Sequence, residues 1–125
     1  MRYMLVIYGD EHGTEGAAMS EWFEYDQAVK QAGVFEAGDG LQPTSTATTV
    51  RVRNGERLLT DGPFAETKEQ LGGFYILNCK DLDEAISWAE RVPSLPHHGA
   101  VEVRPLMEFD DAPAGNGAAA EQAAS

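Results

Sequence analysis

The residues best suited to chemistry lie in one stretch, Asp61-Gly62-Pro63-Phe64-Ala65-Glu66-Thr67-Lys68-Glu69-Gln70-Leu71-Gly72-Gly73-Phe74. Asp61 has two compatible roles. It can close a tight turn in which Gly62 supplies an unusual dihedral, Pro63 fixes the next one and Phe64 anchors the loop in the core. It can also stand as a carboxylate lining a pocket at a sheet edge. In Glu66, Lys68 and Glu69 an ammonium sits between two carboxylates, an arrangement that can tune their protonation for general acid–base work. The same residues equally suit a short solvated helical turn with weak ion pairs. Asp61, Glu66 and Lys68 are therefore the candidate catalytic groups. Gly72-Gly73 then allows backbone or ligand to approach closely.

Four further residues are candidate ligand contacts: Tyr8, Phe64, His98 and Arg104. Tyr8 ends the first apolar run, and Arg104 lies in Val101-Glu102-Val103-Arg104-Pro105. Pockets open at the ends of central strands, although an aromatic with a wet tip and a surface cation explain these two residues equally well. His97-His98 sits in a loop, and His98 can reach a cleft near the start of the last strand. With His12 far off in sequence, no set of zinc ligands at suitable spacing exists, and no metal is expected. Cys79 reads as a small core residue. There is no Gly-x-Ser-x-Gly elbow, phosphate-binding loop or dinucleotide fingerprint, so no cofactor is expected.

The elements that must position these residues follow from hydrophobic periodicity. Arg2 to Tyr8 is apolar on both faces, which marks a central strand. A helix is predicted from about Ala17 to Ala32, with Trp22, Tyr25, Val29 and Ala32 on one stripe and Gly33 to end it. Val34 to Leu41 is a weaker strand. Thr46 to Arg53 and Glu56 to Thr60 form a hairpin about Asn54-Gly55. Phe74 to Cys79 is a second strand that is apolar throughout. Asp81 and Glu84 resemble a capping box and open a helix with the stripe Leu82, Ala85, Ile86, Ala89 and Val92, stopped by Pro93. Pro96 to Gly99 is a loop, and Val101 to Phe109 is a last strand. The order gives an α+β, ferredoxin-like βαββαβ sheet with an extra β-hairpin and both helices on one face. Residues 1–109 form this domain, and 110–125, rich in Ala and Gly and acidic, form a disordered tail.

Composition narrows the classes further. The chain has 125 residues, 42% hydrophobic and 24% charged, ordinary for one globular domain. No apolar run approaches the roughly 20 residues of a membrane span. The opening run is too short for a signal peptide, and the single cysteine suits a reducing compartment, so a cytoplasmic location is expected. A net charge of −12 argues against nucleic acid, because the one basic cluster, Arg51, Arg53 and Arg57, falls on the hairpin. There the arginines either guard a sheet edge against aggregation or meet an anion or a partner.

Two strands apolar on both faces, with helices for only one, leave a strip such as Tyr3, Leu5 and Ile7, or their neighbours on the opposite side, uncovered. That exceeds what soluble monomers usually expose. A second copy packed sheet against sheet about a twofold axis covers it, and a homodimer is expected. A weaker cover is the hairpin folded over its own sheet.

The opening Met1-Arg2-Tyr3-Met4-Leu5-Val6-Ile7-Tyr8, the segment Gly40-Leu41-Gln42-Pro43, the block DGPFAETKEQLGGFY and the closing Val103-Arg104-Pro105 together resemble the YCII-related family, in particular its DGPF branch. The resemblance covers roughly Met1 to Phe109 and implies a dimeric α/β barrel. Some relatives are regarded as cofactor-free lyases or dehalogenases that use a histidine on the first helix and an aspartate in an Asp-Pro-Tyr segment after the second. This chain has no histidine between Ala17 and Gly33, and has Arg91-Val92-Pro93 at the second place, so that dyad does not carry over. DGPF-branch members tend to be encoded beside extracytoplasmic-function sigma factors, which implies an accessory or regulatory role. Two functions follow as expectations. One is a cofactor-independent, lyase-like acid–base enzyme acting on a small organic molecule. The other is a non-catalytic dimer that binds a small ligand or a protein partner.

Overall fold

The structure, a computed structural model, describes residues 1–10, 17–65 and 69–109. The elements run β1 (Arg2–Asp10), α1 (Met19–Gln31), β2 (Phe35–Gly40), β3 (Thr48–Arg53), β4 (Glu56–Asp61), β5 (Glu69–Asn78), α2 (Leu82–Ala89) and β6 (Ala100–Pro105), with short 3₁₀ turns at Thr44–Thr46 and Leu95–His97. Four strands form an antiparallel sheet in the order β2-β5-β1-β6, and β3 and β4 pair apart as a two-stranded hairpin. This is the ferredoxin-like α+β arrangement with its extra hairpin. The two strands that are apolar throughout, β1 and β5, occupy the centre, where both neighbours satisfy their backbone groups. The expected tail, 110–125, lies outside the described residues. Among those residues no helix is long and apolar enough to cross a membrane.

Alternation along the strands divides the sheet into two unlike faces. Tyr3, Leu5 and Ile7 of β1 and Tyr75 and Leu77 of β5 point to the helices. They pack with Tyr25 and Val29 of α1, with Ala85 and Ala89 of α2, and with Val34, Cys79 and Val92. Leu5, Leu77 and Val29 are fully shielded from solvent, each such burial contributing about 1.5–3 kcal/mol. Tyr3, Leu5 and Ile7 are thus the covered set. Met4, Val6 and Tyr8 of β1 and Phe74 and Ile76 of β5 take the other face, half-buried by one another with no helix above them.

The helix ends follow from local chemistry. Gly33 closes α1 at φ +77°, donating to the Lys30 carbonyl at 3.0 Å while Val34 reaches the Val29 carbonyl at 3.2 Å. This is a Schellman closure with an apolar Val29–Val34 pair alongside. At α2 the Asp81 carboxylate accepts from the Glu84 amide at 2.9 Å. The Glu84 carboxylate in turn accepts from the Lys80 amide, one residue before the expected partner, at 2.7 Å. The buried stripe of α2 is narrower than the periodicity predicts. Ala85, Ala89 and Val92 are buried, whereas Leu82 and Ile86 are exposed. Small alanines bring the helix close to the sheet, and the bulkier residues are left on its flanks. On α1, Ala32 of the expected stripe is likewise exposed.

Strand bounds differ most from expectation at the start of β5 and the end of β6. β5 begins at Glu69, not Phe74, because Glu69 and Gln70 pair with Asp10 and Gly9 of β1. Gly73 is needed there, since a Cβ would meet the Asp39 carbonyl oxygen of β2 at 2.8 Å. β6 ends at Pro105, not Phe109, with one further backbone bond from the Leu106 amide to the Arg2 carbonyl at 2.9 Å. The hairpin turns through Asn54 and Gly55, both at positive φ, as a two-residue turn of this sequence requires.

Candidate functional site

Asp61 is the last residue of β4, paired with Thr48, and its side chain is exposed. The turn after it is held by backbone. Gly62, at φ +103°, donates its amide to the Ala47 carbonyl at 2.7 Å, and its own carbonyl accepts from the Thr49 hydroxyl at 2.9 Å. The dihedral expected of Gly62 is therefore present, and the closing bonds come from Ala47 and Thr49. Phe64 does not anchor the loop in the core. It is 71% exposed, with the Arg51 guanidinium 4.7 Å above its ring, a cation–π contact of about 0.5–1 kcal/mol at such exposure. Glu66 and Lys68 lie outside the described residues.

Tyr8 lies on the helix-free face, opposite Leu71 of β5 and Ala100 of β6. The register skips Gly72 at this point, a bulge that bends the strand. The Gly72 carbonyl accepts from the Leu41 amide at 2.8 Å, which fixes where the chain leaves β2 toward the hairpin. The hairpin, Tyr8 and the loop before β6 consequently share one end of the sheet. His98 belongs to that loop, exposed and in the left-handed conformation at φ 67°. Arg104 is elsewhere. It pairs with Met4, four residues or roughly 13 Å along the strand from Tyr8. The topology thus brings Tyr8, His98 and the Asp61–Phe64 turn to one end and leaves Arg104 toward the other.

A cleft of about 230 Å³ lies between α1 and the segment after α2, lined by none of the described candidate residues. Glu21, Glu24, Tyr25, Arg91 and Pro93 line it. Tyr25 donates its hydroxyl to the Trp88 carbonyl at 2.9 Å, and burial pushes its phenol well above the usual range. Arg91 lies 4.5 Å over the Trp88 ring. Beside this set, burial and then the Asp26 carboxylate push Tyr75 up to about 12. Asp26 also pairs with Lys30 at 2.7 Å. Both phenols stay protonated at neutral pH and serve as donors, not bases. The cleft joins helix and segment where the family resemblance implies a histidine and an aspartate, and it holds two glutamates and an arginine instead. Glu21 and Arg91 lie far apart in sequence, so neither periodicity nor a local motif links them.

Cys79 is buried, as expected of a core residue, and burial raises its thiol pKa. Among the described residues no three His, Cys, Asp or Glu side chains are grouped to hold a metal ion.

Comparison with known proteins adds three findings. The model of the YCII-related domain family matches residues 1–110. An uncharacterised protein of Rhizobium meliloti (strain 1021) is 41% identical over 117 residues, covering 87% of this chain and 94% of that protein. Among solved structures, 5-chloro-2-hydroxyhydroquinone dehydrochlorinase from Burkholderia phenoliruptrix AC1100, in complex with 2,5-dihydroxybenzoquinone, is similar at 17% identity. Its TM-score is 0.40, over 87% of this chain and 96% of that one.

Proposed function

This chain belongs to the YCII-related domain family, and on that premise we propose that it works as a homodimer, joined through the open faces of its sheets, that binds a small organic molecule without a cofactor. The observation that carries this reading is the strip Met4, Val6, Tyr8, Phe74 and Ile76, apolar, central and uncovered by any helix. Water against such a strip is costly. An identical strip related by a twofold axis is its simplest complement.

The cleft beside α1 supports the binding role. Arg91 suits an anionic group of the ligand, Glu21 and Glu24 suit its donors, and Tyr25 supplies aromatic surface. Binding is preferred to turnover because Arg104, opposite Met4, is four residues along β1 from Tyr8. The second reading is a lyase-like enzyme in which Asp61 or Glu66 acts as base and Lys68 or Arg104 steadies an anion. The exposure of Asp61 favours it, since its carboxylate is accessible to substrate at the sheet end that also holds Tyr8 and His98.

Light scattering at micromolar protein tests the main reading. The expected mass is twice the 13.5 kDa of one copy, falling to one copy in Val6→Glu with its helical spectrum unchanged. A wild-type mass of one copy refutes the homodimer.

A further inference from the structure

We infer that the β3–β4 hairpin is an arm that docks on a second copy of this chain, its apolar side adding contact area to that of the open sheet face. The inference rests on the homodimer reading above and concerns a different surface. Pairing of Val50 with Leu59 and of Val52 with Arg57 places Val50, Val52 and Leu59 on one side of the hairpin. They are 59%, 67% and 56% exposed. Leu58, opposite Arg51, lies on the other side and is also exposed. A two-stranded hairpin by itself is marginally stable in water, and exposed apolar strands invite pairing with other chains. This one pairs apart from the four-stranded sheet, and its apolar side chains remain exposed, so it does not cover its own sheet.

Area and charge together select the occupant. A stable interface buries about 800 Å² per partner. The open-face side chains are half-buried and so offer less area per residue than those of the hairpin. The hairpin's valines and leucines retain more than two-fifths of theirs, so a docked arm enlarges the interface substantially. The arm carries Arg51, Arg53 and Arg57 against Glu56 and Asp61, which makes it net positive on a chain of net charge −12. Arg53 and Arg57 form no ion pair with any described residue. A basic arm and an acidic body in one chain are complementary between copies, and a twofold axis lets each arm meet the other body. Asp61 and Phe64, at the arm's base, then face the boundary between the copies.

The test measures the dimer dissociation constant by sedimentation velocity over a dilution series. It compares wild type, the double variant Val52→Asp with Leu59→Asp, and Arg57→Glu. The substituted side chains are exposed, and circular dichroism checks that each variant folds. The expected results are an increase of at least about tenfold for the double variant, and for Arg57→Glu a weaker dimer with a reduced dependence on salt. Constants that match wild type in both variants overturn the arm while leaving a sheet-to-sheet dimer standing. A wild type that sediments as one copy overturns both.

Discussion

Leu77 and Ile76 are neighbours on β5, equally apolar, and have opposite surroundings. Leu77 is fully shielded beneath the helices, whereas Ile76 is half-buried on the face without them. The contrast repeats along β1, where Leu5 is sealed and Met4 and Val6 are not. Apolar character alone does not bury a residue; an element must be available to cover it. The described residues supply two helices, enough for one face, and the second face has none.

The contrast is sharpest in stability. Leu77→Ala is expected to cost about 2–5 kcal/mol through lost burial and a cavity, at any protein concentration. Ile76→Ala is expected to cost less than half of that in dilute protein, with the cost growing as concentration rises and the dimer contributes. Urea denaturation at two concentrations a hundredfold apart measures both. Equal costs, independent of concentration, would break the comparison.

Gly72 and Gly73 give a second adjacent pair. A methyl group at Gly73 meets the Asp39 carbonyl oxygen at 2.8 Å, whereas at Gly72 the nearest atom, the Ile7 carbonyl oxygen, is 3.8 Å away. Gly73→Ala is therefore expected to destabilise by about 1–3 kcal/mol. Gly72→Ala, on the bulge, should fall within about 0.5 kcal/mol of wild type. Thermal denaturation separates them, and similar midpoints would contradict the β2–β5 contact.

The smallest expected effect concerns alkaline pH. Tyr25 and Tyr75, both against the covered face, have phenol pKa values raised on folding, Tyr75 to about 12. A raised folded value means the unfolded chain loses these protons first, near pH 10. Their stabilising contribution is therefore complete below about pH 10 and is lost as pH rises through the folded values. Tyr75→Phe should make the decline in stability above about pH 10 shallower. An unchanged slope would show that the phenol is not linked to folding.

How much of this was legible in the sequence depends on the range over which each feature is determined. The sheet order followed from two runs apolar on both faces, a local signal, and so did the Gly33 helix end and the Asn54-Gly55 turn. Glu69 and Gln70 fall before the strand expected from Phe74, because a charged residue and the glycines after it suppress strand propensity. Their pairing is imposed by β1, a distant partner. Phe64 was read as an anchor because aromatic residues usually find a core, but its surroundings are set by Arg51 across the hairpin. The cleft was invisible for the same reason, since its walls come from α1 and from the segment after α2. Asp61 was legible as part of a turn, whereas the bonds that close that turn, from Ala47 and Thr49, depend on hairpin register.

The most direct test of the two-faced sheet is isotope-filtered NOE spectroscopy on a mixture of labelled and unlabelled copies. Methyl groups of Met4, Val6 and Ile76 should show contacts to protons of the other copy, and those of Leu5, Leu77 and Val29 should show none. Intermolecular contacts confined to the exposed sides of α1 and α2, or no such contacts at millimolar protein, would contradict it.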